Sequence, residues 1–164
     1  MSNFETYLGR PYIEGRQDCY QIGRDYFSAE WGLELPNLAR PSRFWEDPHL
    51  DLYGMYQDFG FYPVFDEKPK IGDVFLMQIL TPVNSHAVIY VEDNRVLHHM
   101  VGQLSSIEPY RPKWAHRVNI HLRHPKVVET QPNRVVHLHE VIDAPVLRDP
   151  EVQKRIEREM ASGN

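Results

Sequence analysis

Apolar positions recur at helical spacing in one early stretch: Cys19, Ile22, Tyr26 and Phe27 are separated by three, four, and seven or eight residues, one face of a helix. Asp18 stands immediately before this run as a helix-start residue, and Gly32 follows Trp31, so the pattern predicts a helix from about Cys19 to Trp31. Upstream, Phe4 to Leu8 predicts a short helical turn, and residues 9–15 read as a loop bounded by glycines and holding Pro11. Downstream, Leu33 to Pro48 is a long crossing broken by prolines, with Phe44 and Trp45 as anchors. Leu50 to Phe59 predicts a second helix ended by Gly60, and Phe61 to Phe65 an edge strand or extended connection.

The period then changes from helical to that of strands. Val74 to Ile79 is apolar on both faces, which predicts a central strand. His86 to Val91 predicts the next strand, Glu92-Asp93-Asn94 a turn, and Arg95 to Met100 the return strand of a hairpin. Ser105 to Pro109 and Arg117 to Leu122 supply further strand candidates. The fold class is α+β, a helix in front of an antiparallel sheet. Beyond Pro125 the composition shifts, which divides the chain into a domain over residues 1–125 and an extension over 126–164. In the extension, Val127-Val128 and Val135 to Ile142 predict one or two strands. Asp149-Pro150-Glu151 opens a charged helix toward Met160, whose thin apolar stripe of Val152, Ile156 and Met160 suits a docking element.

Composition narrows the function classes. In 164 residues, 41% hydrophobic content provides one core, while a net charge of −5 and a pI near 6.0 argue against a nucleic-acid partner. No run has the length of a membrane span. Residues Met1 to Glu5 show neither a basic segment nor an apolar export core, so synthesis and folding in a cytoplasm are expected. The single cysteine, Cys19, permits no intramolecular disulfide and no multi-thiolate zinc site, which leaves it as core filling or as a reactive thiol.

The reactive reading rests on position. The first turn of a helix favours a thiolate, and its unpaired N–H groups can receive an oxyanion. His86, at the head of a strand, is the candidate base, and a base needs a third polar group to fix its orientation and tautomer. Both His98 and His99 qualify on spacing. A two-residue turn at Asp93-Asn94 puts His99 on the face of His86, whereas a three-residue loop or a bulge selects His98. Tyr12, seven residues before Cys19, offers a phenol to an oxyanion or simply caps the edge of the core. His137 and His139 alternate along a predicted strand but lack a carboxylate pattern for a metal site. His116, His121 and His124 read as surface residues.

Taken together, Asp18-Cys19, Gly72-Asp73-Val74, His86-Ala87-Val88-Ile89-Tyr90 and Val96-Leu97-His98 resemble the NlpC-type, papain-like cysteine peptidases that hydrolyse bacterial cell-wall peptides. Asp18 to Phe27, Leu35-Pro36, Gly60-Phe61, Leu97-His98-His99, Leu104-Ser105 and Trp114 are similar to the branch found in siphophage tail assembly proteins. The resemblance covers roughly residues 4 to 122. It implies a cofactor-free triad of Cys19 as nucleophile, His86 as base and His98 as the orienting residue, with Tyr12 and Asp18 at the oxyanion and substrate edge. The family's usual serine after the cysteine is Tyr20 here. The implied substrate is the stem peptide of peptidoglycan, cut as the genome enters the host, or a tail protein trimmed during assembly. The implied location is the host cytoplasm on synthesis and then the virion tail tip. A structural tail-tip subunit that binds hub or tape-measure proteins is the competing expectation. An unrelated thiol acyltransferase is a third, and it requires an apolar acyl pocket.

Overall fold

The structure, a computed structural model, describes residues 4–129; the strands expected over 135–142, the helix expected beyond 149, and His137 and His139 lie outside them. The described residues belong to one compact unit, which carries every element below. Helix α1 spans Cys19–Trp31, as the apolar spacing predicts, and ends at Gly32 in the left-handed conformation (φ 56°). The six strands are β1 (Tyr62–Pro63), β2 (Val74–Met77), β3 (His86–Val91), β4 (Arg95–His98), β5 (Ser106–Pro109) and β6 (Val118–Arg123). They form one antiparallel sheet in the order β1-β6-β2-β3-β4-β5, giving an α+β fold. All four residues of β2 are buried, which fits its continuous apolar run and its place between β6 and β3.

Side-chain alternation sorts the core onto the two faces of the sheet. Val74, Leu76, Ile89, Leu97 and Leu122 pack with Ile22, Tyr26 and Phe27 of α1. Phe75, Met77, Val88 and Val96 pack on the opposite face with Tyr110 and Trp114. Ile22, Tyr26 and Phe27 are each 1% exposed. At roughly 1.5–3 kcal/mol for each large side chain buried, these contacts hold α1 more strongly than its cap, worth about 1 kcal/mol.

Three expectations change. The segment expected as a helix over Leu50–Phe59 is a run of 3-10 turns over Leu52–Phe59, started by Asp51, whose carboxylate accepts the Gly54 N–H at 3.0 Å. Gly54 weakens α-helix continuation there. Val127-Val128 belong to a short helix, α2 (Pro125–Glu129), and not to a strand: Pro125 suits a first helical position, and His124 Nδ1 accepts the Lys126 N–H at 3.1 Å. Val127 is buried against Gly72, where φ is +88° and an added Cβ would approach Val127 Cγ1 to 2.6 Å. His121 is not a free surface residue. Its Nε2 meets Asp73 Oδ2 at 2.7 Å, and Arg123 adds two hydrogen bonds to the same carboxylate at 2.8 and 2.9 Å. Burial raises the Asp73 pKa, but the bonds from His121, Arg123 and the Lys70 N–H outweigh it and hold the group ionised, below its usual range.

Candidate active site

Cys19 is the first residue of α1, and the approach to it is fixed by Asp18. Asp18 Oδ1 accepts the Gln21 N–H at 2.9 Å, and Oδ2 accepts from the Gly15 N–H at 3.1 Å and Arg40 Nε at 2.7 Å. Arg40 also donates to the carbonyls of Gly15 and Leu38. Gly15 has φ +74°, and a Cβ there would meet the Arg40 carbonyl oxygen at 2.9 Å, so the loop needs glycine. Asp18 is buried and both of its oxygens are engaged by the chain itself. These bonds make it the residue that holds the helix start.

Cys19 Sγ and the Tyr53 hydroxyl share a hydrogen bond of 3.0 Å, and Tyr20 and Ala87 line the same hollow as the sulfur. Ala87 is joined to His86, so the thiol stands beside the main chain that carries the candidate base. The helix start predicts a stabilised thiolate, but burial pushes the Cys19 thiol up, the Asp18 carboxylate adds to it, and hydrogen bonding, from Tyr53 first, only partly offsets them. Tyr12, the expected phenol, lies with its ring edge-on to His99 at 5.4 Å. Burial first, and then the neighbouring Cys19 and Asp18, raise its pKa.

The hairpin loop between β3 and β4 has three residues, Glu92, Asp93 and Asn94, and the register pairs Ile89 with Leu97 and Val91 with Arg95. His86, Val88 and His98 therefore share the face away from α1, and His99 falls on the face of α1; among the described contacts no hydrogen bond joins Cys19 Sγ to His86, so the structure brings His86 and His98 together but not His86 and the thiol. The His86 and His98 rings are 5.5 Å apart and nearly perpendicular, and Trp114 packs on both at 5.7 and 4.6 Å. His98 Nε2 meets Ser106 Oγ at 3.3 Å and lies 3.5 Å from Glu108 Oε1. Glu108 also accepts from Lys113 Nζ at 2.7 Å and Trp114 Nε1 at 3.1 Å. His86 Nε2, His98 Nδ1 and His99 Nδ1 are buried without a hydrogen-bond partner, as is Trp31 Nε1. Burial, followed by the neighbouring His98 and His99, lowers the His86 pKa to about 3; burial also lowers that of His98, against the pull of Glu108.

A sequence profile of the NlpC/P60 family matches residues 9–123. The chain belongs to the NlpC/P60 family. It is similar to Tail tip assembly protein K of Escherichia phage N15, 34% identical over 113 residues that cover 67% of this chain and 46% of the relative. It is also similar to Tail tip assembly protein K of Escherichia phage lambda, 34% identical over 122 residues that cover 71% of this chain and 58% of the relative. The chain spans about half the length of the curated relatives it matches.

Within this NlpC/P60 domain, sequence reasoning missed Tyr53, Ser106 and Glu108. A period-two reading of β5 carries a signal for the last two, because Ser106 and Glu108 share the face of His98, its directly paired residue being Ser106. Tyr53 carries none, since 34 residues of proline-broken chain separate it from Cys19. Among the described residues, no three His, Cys, Asp or Glu side chains converge as a metal site, and no helix is long and apolar enough to cross a membrane.

Proposed function

We propose that this NlpC/P60 domain is a cysteine peptidase of a phage tail, with Cys19 as nucleophile, His86 as base and His98 as the residue that orients His86. The observation that carries the reading is the packing of the His86 and His98 rings, 5.5 Å apart, at the start of the strand whose Ala87 lines the same hollow as Cys19. With its Nε2 proton directed at Glu108, His98 presents a lone pair at Nδ1. The two nitrogens are not bonded in the resting structure, and the reading requires His86 Nε2–H to donate to that lone pair as His86 Nδ1 takes up the proton.

In the reaction, Sγ bonds to the carbonyl carbon as its proton passes to His86, and the carbonyl electron pair becomes an oxyanion. The Cys19 N–H at the start of α1 is its donor, since the Gln21 and Ile22 N–H groups are taken by Asp18, and Tyr53 is the phenol at the sulfur. The C–N bond then breaks and His86 returns the proton to the amine. Water adds to the thioester, losing a proton to His86, the C–S bond breaks, and the thiol regains that proton. The names of the relatives support a place in tail assembly, among other tail proteins and in the virion tail. Two substrate sources suit this setting, the peptidoglycan stem peptide and a tail protein. The test is hydrolysis of purified stem peptides and of tail proteins by wild-type and Cys19→Ala protein. Cleavage by wild type alone is expected; equal results with both would overturn the reading and favour a structural tail subunit.

A further inference from the structure

The loop that leads into α1 folds back on itself. The Ile13 N–H donates to the Gln17 carbonyl at 2.9 Å and the Gln17 N–H to the Ile13 carbonyl at 2.7 Å, an antiparallel bridge. One position further out, that register sets Tyr12 opposite Asp18, so a residue seven places away in sequence returns to the neighbour of Cys19. Burial, and then the nearby Cys19 and Asp18 charges, raise the Tyr12 pKa, so the phenol keeps the proton that a donor to an oxyanion needs.

The loop between β4 and β5 braces this one. Ser105 Oγ accepts the Arg10 N–H at 2.9 Å and donates to the Tyr7 carbonyl at 2.6 Å, while the Ser105 main chain bonds to Gly9 and Arg10 at 2.9 and 3.0 Å. These bonds hold residues 7–10, and His99 meets the residue that matters beyond them. Its ring stands edge-on to Tyr12, with centroids 5.4 Å apart and planes at 85°. His99 is 1% exposed, and its Nε2 lies 3.1 Å from the Gln103 carbonyl. A carbonyl only accepts, so Nε2 carries the proton and Nδ1 holds a lone pair, which has no partner. Burial lowers the His99 pKa and keeps the ring neutral. An unpaired Nδ1 makes His99 a costlier core filler than an apolar side chain of its size, while the bond to Gln103 sets the plane of the ring against Tyr12.

Resting on the peptidase reading, we propose that His99 is a positioning residue that holds the Tyr12 phenol at the start of α1, as a second donor to the oxyanion formed at Cys19. The tandem His98-His99 then serves both faces of the sheet. His98 orients the base on the face away from α1, and His99 orients the phenol on the face of α1.

The test uses the full chain and an activated ester of an N-acyl leucine, with acylation of Cys19 followed by intact-mass spectrometry across ester concentrations. Tyr12→Phe should slow the saturating rate about 10²-fold, the size of one lost oxyanion donor. His99→Gln keeps an N–H for the Gln103 carbonyl but no ring against Tyr12, and it should slow that rate about tenfold with little change in the half-saturating ester concentration. In the Tyr12→Phe background the same substitution should cost less than about twofold, because no phenol is left to position. His99→Phe, which keeps a ring and loses the Gln103 bond, should retain more of the rate than His99→Gln. A wild-type rate in His99→Gln, an equal loss in both backgrounds, or a faster His99→Gln than His99→Phe overturns the inference and leaves the peptidase reading standing. Absence of any acyl adduct on Cys19 in wild type overturns the peptidase reading and this inference with it.

Discussion

Two buried polar groups sit on the same sheet and are built on opposite terms. In the cluster of Asp73, His121 and Arg123, both carboxylate oxygens are bonded, the guanidinium reaches Asp73, Glu67 and the Lys68 carbonyl, and nothing is left over. In the group of Cys19, His86 and His98, two imidazole nitrogens are buried with no partner. A satisfied network fixes structure, whereas buried imidazole nitrogens without a partner leave the two rings able to change tautomer. The first group ties β6 to the turn before β2, and the second is the group to which we assign the chemistry.

Mutations should separate the two groups in opposite directions. His86→Ala should lower hydrolysis by about 10⁴ or more while the melting temperature stays the same or rises, as measured by peptide turnover and calorimetry. Asp73→Ala should do the reverse, costing about 3–5 kcal/mol in denaturant unfolding because it strands the Arg123 charge, with turnover per folded molecule retained. Glu108→Gln should lower kcat about 10- to 100-fold with little change in KM, since it loosens the tautomer of His98 without touching the substrate. Acid should weaken the fold through the second group. Below the ordinary imidazole value of 6.5 the unfolded chain takes up protons that buried His86 refuses until about pH 3, so stability falls as pH drops through that window. The slope for His86 is up to about 1.4 kcal/mol per pH unit, and urea melts of His86→Gln should show a shallower one. Tyr53→Phe should have the smallest effect, about 1 kcal/mol or less in stability, with the pH profile of Cys19 alkylation moved upward by loss of a donor to the sulfur.

Much of this arrangement was legible in residue spacing. The apolar period places Cys19 at the first turn of α1, and the continuous run at Val74 marks the central strand. The choice between His98 and His99 was not legible, because it turns on one residue of loop length: three residues at Glu92–Asn94 put His98 with His86. Nor was the state of the thiol. The helix start argues for a thiolate, while burial, which spacing does not reveal, argues the other way and prevails. Tyr53 shows the same limit from another side, since its contact with the sulfur is made across a crossing that has no periodicity to read.

The central claim is that Cys19 and His86 work as nucleophile and base. Acid-quenched intact-mass spectrometry of the protein mixed with an activated ester of an N-acyl leucine tests it most directly. The account predicts one acyl group on Cys19 in wild type, none in Cys19→Ala, and acylation about 10³-fold slower or more in His86→Ala. Equal acylation rates in wild type and His86→Ala would contradict it.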